Sequence, residues 1–221
     1  MIGLQEENPE YTLVKKYIEA SHQSETEGFI KNIFALERRG EAERISHHKN
    51  LKKMLLWHGS KISNFMGILA QGLRIAPPEA HSTGEMFGKG VYFSDMFEKS
   101  YGYTEDWGSQ AEDKGYRLLL LCEVAVGESK ELLRAENITQ LDPPYKSVKG
   151  VGLRGPKPDY KIVMPNGCIA PVGEVVDFYE NERDYNKRPH LQHNEYIVYD
   201  VSQVRVRYLV QVILFGCEED F

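Results

Sequence analysis

The sequence contains little cysteine and no long apolar run. The three cysteines, Cys122, Cys168 and Cys217, are far apart and form no CxxC pair. This arrangement argues against a disulfide framework or a zinc site and fits a reducing intracellular compartment. The longest apolar run, residues 118–122, is too short to cross a bilayer, and residues 1–8 lack the apolar stretch of a signal peptide. We therefore expect an intracellular protein without membrane association.

An excess of basic residues is also missing. The 221 residues include 33 acidic and 27 basic side chains, which gives a formal net charge of −6. Proteins that bind nucleic acid through their own surface usually have a basic patch, because contacts with phosphate dominate the affinity. We therefore expect no direct DNA binding by this chain. We further expect a monomer with a single domain over residues 1–221, in which residues 1–50 supply a first helix and strand.

Apolar patterning predicts more strands than helices. The helical segments are residues 9–20, 64–71 (ended by Gly72) and 96–101, and the strand segments are residues 29–36, 54–57, 91–93, 118–126, 195–199 and 204–214. Charged residues 38–53 are expected to form a solvated connection, and residues 142–190 are expected to form loops between short strands. Because helices and strands do not alternate regularly, we predict an α+β fold of mostly antiparallel strands.

Two glycine-rich segments resemble nucleotide-binding motifs without meeting their requirements. Residues 150–155 match GxGxxG, but Pro158 would break the helix that a dinucleotide fingerprint needs at this point. Residues 84–90 resemble a phosphate-binding loop but have neither its spacing nor the Ser or Thr after Lys89. We therefore predict that any bound dinucleotide is held in another way than in a Rossmann fold.

Polar residues next to the predicted strands leave several interpretations open. His190, His193 and Glu195 could form a metal site, but the HExxH pattern needs a helix and a strand follows here, so no metal is expected. Glu195 is either an exposed loop residue or a carboxylate kept at a strand entry for a purpose. His58, Gly59 and Ser60 form either a plain turn or a site where an exposed backbone can pair with a planar amide.

Several of these segments, taken together, resemble the catalytic domain of the DNA-dependent poly(ADP-ribose) polymerases. The matching stretches are LLWHGS at residues 55–60, GILAQGLRIAPPEA at 67–80, MFGKGVYFSD at 86–95, SVKG at 147–150 and NEYIVYD at 194–200. They occur in the order typical of that family and cover nearly the whole chain. The resemblance implies an ADP-ribosyltransferase-like split β-structure with flanking helices, a nuclear location, and NAD+ as substrate. The regulatory helical domain of the family has no counterpart in these residues, so we expect the isolated transferase domain or a naturally minimal enzyme.

The resemblance also implies roles for individual residues. It places the family's His-Tyr-Glu signature at His58, Tyr92 and Glu195, with Lys99 beside the glutamate as a further catalytic residue. The residues that would bind NAD+ are His58, Gly59, Ser60, Asn64, Gly67, Arg74, Tyr92, Ser100 and Tyr103. In this interpretation, the backbone of Gly59 and the hydroxyl of Ser60 hold the nicotinamide carboxamide, and Tyr103 stacks on its ring. No metal is implied.

The chemistry of such a site is consistent with a carboxylate in this position. Cleavage of the nicotinamide–ribose bond builds positive charge on the ribose, as in glycoside cleavage, and Glu195 would stabilise that charge and orient the acceptor hydroxyl. We therefore expect transfer of ADP-ribose to protein acceptors, including the enzyme itself, and elongation of poly(ADP-ribose). Two alternatives remain open: a transferase that adds a single ADP-ribose, and a catalytically silent module that binds NAD+ or ADP-ribose.

Overall fold

Three sheets make up most of the protein, which we describe from a computed structural model covering residues 1–21, 29–76, 85–104 and 115–213. The largest sheet has seven strands in the order β1-β2-β14-β5-β3-β10-β9. Its strands are β1 (Ile2–Gly3), β2 (Ile30–Ala35), β3 (Lys53–Gly59), β5 (Tyr116–Ala125), β9 (Ile162–Val163), β10 (Ile169–Ala170) and β14 (Val204–Ile213). All pairs in this sheet are antiparallel except β3 with β10.

Two smaller sheets complete the β-structure. The four-stranded sheet has the order β4-β13-β7-β6 and the three-stranded sheet the order β11-β8-β12. Their strands are β4 (Val91–Phe93), β6 (Ser129–Leu132), β7 (Ser147–Gly150), β8 (Gly152–Pro156), β11 (Val175–Asp177), β12 (Leu191–His193) and β13 (Glu195–Val198). Most pairings are again antiparallel, which confirms the predicted α+β class.

Four short α-helices lie against the sheets. They are α1 (Pro9–Ser21), α2 (Glu41–Ser46), α3 (Phe65–Gln71) and α4 (Phe97–Tyr101). Gly72 ends α3 with φ 85, a conformation that glycine adopts without strain, so the predicted helix stop is confirmed. Helix α2 was not expected: residues 38–53 were predicted to be a solvated connection, yet Glu41 and Ile45 of α2 are buried. No helix in the described part of the chain is both long and apolar enough to cross a bilayer.

The central strands of the large sheet are buried on both faces. In β5, Leu119 and Leu121 pack with Trp57 and helix α1 in one core, whereas Leu120 and Cys122 pack in a second core on the opposite face. Successive side chains of a strand point to opposite faces, so a strand with a core on each side must be apolar at every position. This explains the continuous apolar run at residues 118–122.

The segment that matches GxGxxG contains no helix. Gly150 ends β7, and Gly152 and Gly155 lie in β8. The rejection of a Rossmann fingerprint is therefore confirmed. Each of these glycines is needed for close packing instead, since a Cβ at Gly152 would lie 2.3 Å from the backbone carbon of His193.

Candidate active site

A cleft of about 600 Å³ opens where the seven-stranded sheet meets the four-stranded sheet. Among the described residues, one backbone pair joins the two sheets: Trp57 N–H donates to the Ser94 carbonyl at 2.8 Å, and Ser94 N–H donates to the Trp57 carbonyl at 2.9 Å. This pair is an isolated bridge rather than part of a longer ladder. Strand β3 therefore supplies one wall of the cleft, while β4 and β13 supply the other.

Ten of the residues predicted for the site line this cleft. They are His58, Gly59, Ser60, Asn64, Arg74, Tyr92, Lys99, Ser100, Tyr103 and Glu195. Gly67, which was also predicted to bind NAD+, is exposed on α3 and is not among the lining residues. Lys61 and Glu85 line the cleft as well, although neither was predicted as a site residue.

Gly59 is at the closest approach between β3 and helix α4. A Cβ atom at this position would lie 1.8 Å from the carbonyl oxygen of Ser100, well inside van der Waals contact. Because the contact is with backbone, no side-chain movement could relieve it. The absence of a side chain at Gly59 is thus required to seat the last turn of α4 against the end of β3.

His58 is held in a defined orientation on β3. Its Nδ1 atom lies 2.8 Å from the carbonyl oxygen of Tyr92, and since that oxygen can only accept, Nδ1 carries the proton. Burial lowers the pKa of His58, and the hydrogen bond to Tyr92 offsets only part of this effect. The imidazole is therefore neutral at pH 7, and Nε2 is left as a hydrogen-bond acceptor.

Tyr92 contributes its ring to the cleft while its hydroxyl is engaged elsewhere. The hydroxyl donates to the Gly88 carbonyl at 2.7 Å and accepts from Phe87 N–H at 3.0 Å. Burial raises the pKa of Tyr92 to about 12, so the phenol stays protonated. Both bonds fix the loop before β4 to the strand itself and make the ring a rigid wall.

Glu195 and Lys99 form an ion pair inside the cleft. Oε1 of Glu195 lies 2.8 Å from Nζ of Lys99, and Glu195 is only 5% exposed. Burial alone would lower the pKa of Lys99, but the hydrogen bond and charge of Glu195 outweigh it, so the net change raises this pKa. Oε2 of Glu195 is buried without a hydrogen-bond partner among the described residues. An unpaired buried acceptor is unfavourable, so a hydrogen-bond donor supplied to this oxygen would stabilise it.

The outer part of the cleft is more open. Tyr103 is 50% exposed, and Nζ of Lys99 lies 5.2 Å from the centre of its ring. Asn64 Nδ2 donates to Ser60 Oγ at 3.0 Å, which leaves the proton of the Ser60 hydroxyl available to a ligand. At the other end, Arg74 donates to the side chain of Gln71 at 2.7 Å.

Two of the three residues weighed as metal ligands, His190 and Glu195, have different partners. His190 contacts Arg134 and the hydroxyl of Tyr185, whereas Glu195 pairs with Lys99. Within residues 1–21, 29–76, 85–104 and 115–213, no group of three His, Cys, Asp or Glu side chains is arranged to hold a metal ion.

Comparisons with known proteins agree on one family. The family model described as the poly(ADP-ribose) polymerase catalytic domain matches residues 8–214. The chain is 44% identical over 214 residues to poly(ADP-ribose) polymerase 2 of Zea mays and 44% identical over 211 residues to the protein of that name in Arabidopsis thaliana. These matches cover 95% and 93% of this chain but 31% and 32% of the relatives.

A relative named poly(ADP-ribose) polymerase 1 matches a similar share of the chain. Poly(ADP-ribose) polymerase 1 of Danio rerio is 44% identical over 207 residues, which cover 92% of this chain and 19% of that protein. The chain thus spans a third or less of the length of these curated relatives. The family match extends over nearly all of it, including both walls of the cleft. The chain therefore belongs to the poly(ADP-ribose) polymerase catalytic domain family.

Proposed function

We propose that this protein is an ADP-ribosyltransferase that uses NAD+ and elongates poly(ADP-ribose) on protein acceptors, including itself. The observation that carries the proposal is the carboxylate of Glu195, which lines a cleft large enough for a dinucleotide and whose Oε2 has no donor among the described residues. A substrate hydroxyl bound there would supply the missing hydrogen bond. Membership of the polymerase catalytic family assigns the same enzymatic activity to the chain.

Gly59 and Ser60 are proposed to bind the nicotinamide carboxamide. The end of β3 presents backbone polar groups at Gly59, and the free proton of the Ser60 hydroxyl can donate to a carbonyl. Tyr92 and Tyr103 line the same part of the cleft with aromatic rings, which suits a planar leaving group. Firm binding of the carboxamide would position the bond to be broken.

Glu195 is proposed to act on the ribose. Its unpaired oxygen can accept a hydrogen bond from a ribose hydroxyl, and its negative charge is aimed at the carbon that becomes positive when nicotinamide leaves. Lys99 holds the other carboxylate oxygen, Oε1, in an ion pair. The neutral His58, with Nε2 as acceptor, is suited to a hydroxyl of the second ribose.

The alternatives differ in what they do with labelled NAD+. A polymerase produces a smear of modified protein on a denaturing gel, a transferase that adds one ADP-ribose produces a sharp band, and a silent binding module produces neither. The presence of Glu195, paired and buried in the cleft, favours the polymerase. A gel without any labelled protein at saturating NAD+ would overturn the proposal.

Further properties are proposed from the family likeness and the charge of the chain. We propose a nuclear location and a role in DNA repair, in keeping with the resemblance to the DNA-dependent polymerases. The net charge of −6 supports a chain that does not itself bind DNA. We propose that it acts as a monomer, which sedimentation or light scattering can test.

A further inference from the structure

A second buried carboxylate, Asp95, lies behind the strand that carries Glu195. Asp95 is 3% exposed and follows β4 closely in the sequence. Its Oδ2 atom accepts two hydrogen bonds, from Nδ2 of Asn194 at 2.9 Å and from the hydroxyl of Tyr196 at 3.1 Å. Asn194 and Tyr196 are the two chain neighbours of Glu195. A single oxygen of Asp95 therefore accepts hydrogen bonds from the residue before Glu195 and from the residue after it.

In an extended chain, Glu195 and its two neighbours point to opposite faces. Successive side chains point to opposite faces, so Asn194 and Tyr196 leave the chain on one face and Glu195 leaves it on the other. Asp95 accordingly lines a separate cavity together with Asn194 and Tyr196, whereas Glu195 lines the cleft. Asp95 therefore holds Asn194 and Tyr196 on the face opposite to the cleft, and the positions of these two residues determine where the side chain of Glu195 points.

Asn194 is secured by further bonds. Its carbonyl oxygen accepts from Ser94 Oγ at 3.0 Å, and its Oδ1 accepts from Gly152 N–H at 2.9 Å. Both polar side-chain atoms of Asn194 thus have partners, and its bonds reach two different segments of the chain, residues 94–95 and Gly152. A rotation of the chain at Asn194, immediately before β13 begins, would therefore break several hydrogen bonds.

Asp95 also lies next to the helix that carries Lys99. Helix α4 begins at Phe97, two residues after Asp95, and Lys99 is the third of its five residues. The hydroxyl of Tyr17 in helix α1 donates to the Leu55 carbonyl at 3.0 Å and lies 3.4 Å from the backbone carbonyl of Asp95. Asp95 is therefore hydrogen-bonded to both chain neighbours of Glu195 and lies four residues before Lys99 in the sequence.

We propose that Asp95 is a positioning residue that sets the orientation of Glu195 and its distance from Lys99 through Asn194 and Tyr196. This inference rests on the proposed catalytic role of Glu195. Asp95 does not line the cleft, so it acts on the reaction through its neighbours and not by touching NAD+.

The energetic cost of Asp95 supports a role beyond folding. Burial raises its pKa to about 6, although the hydrogen bonds from Asn194 and Tyr196 counteract part of that effect. Its second oxygen, Oδ1, is buried without a partner among the described residues. A buried carboxylate bonded only to neutral donors is a poor source of stability compared with well-packed apolar groups.

The test is steady-state kinetics of nicotinamide release by three variants. Asp95→Ala removes both bonds, and we expect kcat to fall on the order of 10- to 100-fold while KM for NAD+ changes little. Tyr196→Phe removes one bond and should give a smaller fall. Asp95→Asn keeps an oxygen that can accept from both donors and should retain a kcat near that of the parent.

A double-mutant cycle separates positioning from a general loss of structure. In a Glu195→Gln background, Asp95→Ala should cause no further loss of kcat, because the group it positions is already gone. Glu123→Gln is the matched control: it alters a carboxylate that is 1% exposed in β5, outside the cleft, and should lower thermal stability without lowering kcat.

The outcomes distinguish the two proposals. A parental kcat in both Asp95→Ala and Tyr196→Phe would overturn the positioning role, as would a full further loss in the Glu195→Gln background. A parental kcat in Glu195→Gln alone would instead overturn the role of the glutamate. If Asp95→Ala does not fold, the cycle between Tyr196→Phe and Glu195→Gln decides by the same criteria.

Discussion

At the scale of single residues, one oxygen of Glu195 pairs with Lys99 and the other has no partner in the part of the chain that the structure describes. Glu195→Gln keeps the shape of the side chain but removes the charge that would stabilise a positive ribose. We expect kcat to fall about 10²- to 10³-fold, the range seen when one stabilising group of this kind is removed. Binding of NAD+ should persist, because other residues hold the dinucleotide. Labelled NAD+ on a denaturing gel measures the first effect, and a thermal shift measures the second.

Glu131→Gln is the control for this prediction. Glu131 also pairs with a lysine, Lys149, at 2.8 Å, but its side chain is 61% exposed and lies outside the cleft. Loss of an exposed ion pair has a small effect on stability and should leave polymer formation unchanged. Long polymer made at the parental rate by Glu195→Gln would contradict the catalytic role.

Gly59 is expected to tolerate no side chain. A Cβ there would overlap the carbonyl oxygen of Ser100, so Gly59→Ala should displace α4 and close the carboxamide site. Small benzamides should stabilise the parent by about 2.7 kcal/mol at a hundredfold excess over their dissociation constant, and this thermal shift should disappear in the variant. Gly102→Ala is the control, since a Cβ at Gly102 meets nothing within 4 Å. An unchanged benzamide shift in Gly59→Ala would argue against the site.

Asp95 should also leave a signature in the pH dependence of stability. Its pKa is about 6 in the folded protein against 3.8 for the free side chain, so the folded state binds a proton more readily than the unfolded state. The ionised carboxylate therefore destabilises the protein fully above pH 6, and this loss fades as the pH falls towards 4. We expect the free energy of unfolding of Asp95→Asn, relative to the parent, to rise between pH 4 and pH 8. Urea titrations over this range measure the difference, and a constant difference would contradict the raised pKa.

The residues of the cleft could be predicted largely because they lie in recognisable motifs. His58, Gly59, Tyr92 and Glu195 lie in stretches shared with a known family, and the structure brings them into one cleft. Asp95 was not singled out because its partners, Asn194 and Tyr196, are distant in sequence, and nothing local reveals a hydrogen bond across about a hundred positions. Gly67 shows the opposite case: it lies in a matching stretch but not in the cleft wall.

At the scale of elements, helix α2 owes its position to one buried acid. Oε2 of Glu41 accepts a hydrogen bond from Val206 N–H at 2.9 Å, and Oε1 of Glu41 pairs with Arg38. Arg38 in turn donates to the Leu69 and Ala70 carbonyls at the end of α3. Glu41→Ala leaves Arg38 without its acid, and we expect a loss of about 3 kcal/mol in the free energy of unfolding. Urea denaturation measures this loss. Glu43→Ala, on the exposed face of α2, should change it by less than about 0.5 kcal/mol, and equal effects would refute the argument.

The same helix shows why the element prediction was incomplete. A charged segment is normally solvated, so residues 38–53 gave no apolar periodicity from which to predict a helix. The burial of Glu41 depends on a backbone N–H of β14, which no local pattern can indicate. In contrast, helices α1 and α3 and strands β5, β13 and β14 have strong apolar patterns, and their predicted positions are confirmed within a few residues.

At the scale of the whole molecule, the negative charge should govern the response to nucleic acid. With a net charge of −6, the chain is expected to attract phosphate groups only weakly. We expect this chain by itself to turn over NAD+ at the same rate with and without nicked duplex DNA. The measurement is nicotinamide release at moderate salt, with a single-stranded oligonucleotide as a second comparison. A large stimulation by nicked DNA would reveal a sensing surface within these 221 residues.

Because the two sheets meet at the isolated bridge between Trp57 and Ser94, the two walls of the cleft belong to different sheets. Gly59 and Ser60 follow the bridge on the β3 side, whereas Glu195 and its support at Asn194 and Tyr196 belong to the other sheet. Under the proposed roles, a substitution at Ser60 alters the carboxamide end without touching Glu195, whereas one at Gly59 also displaces α4 and with it Lys99. Under the same proposed roles, changes at Ser60 vary recognition of the leaving group while Glu195 keeps its place, so an inhibitor that contacts only the β3 side leaves open a resistance route that one reaching Glu195 does not.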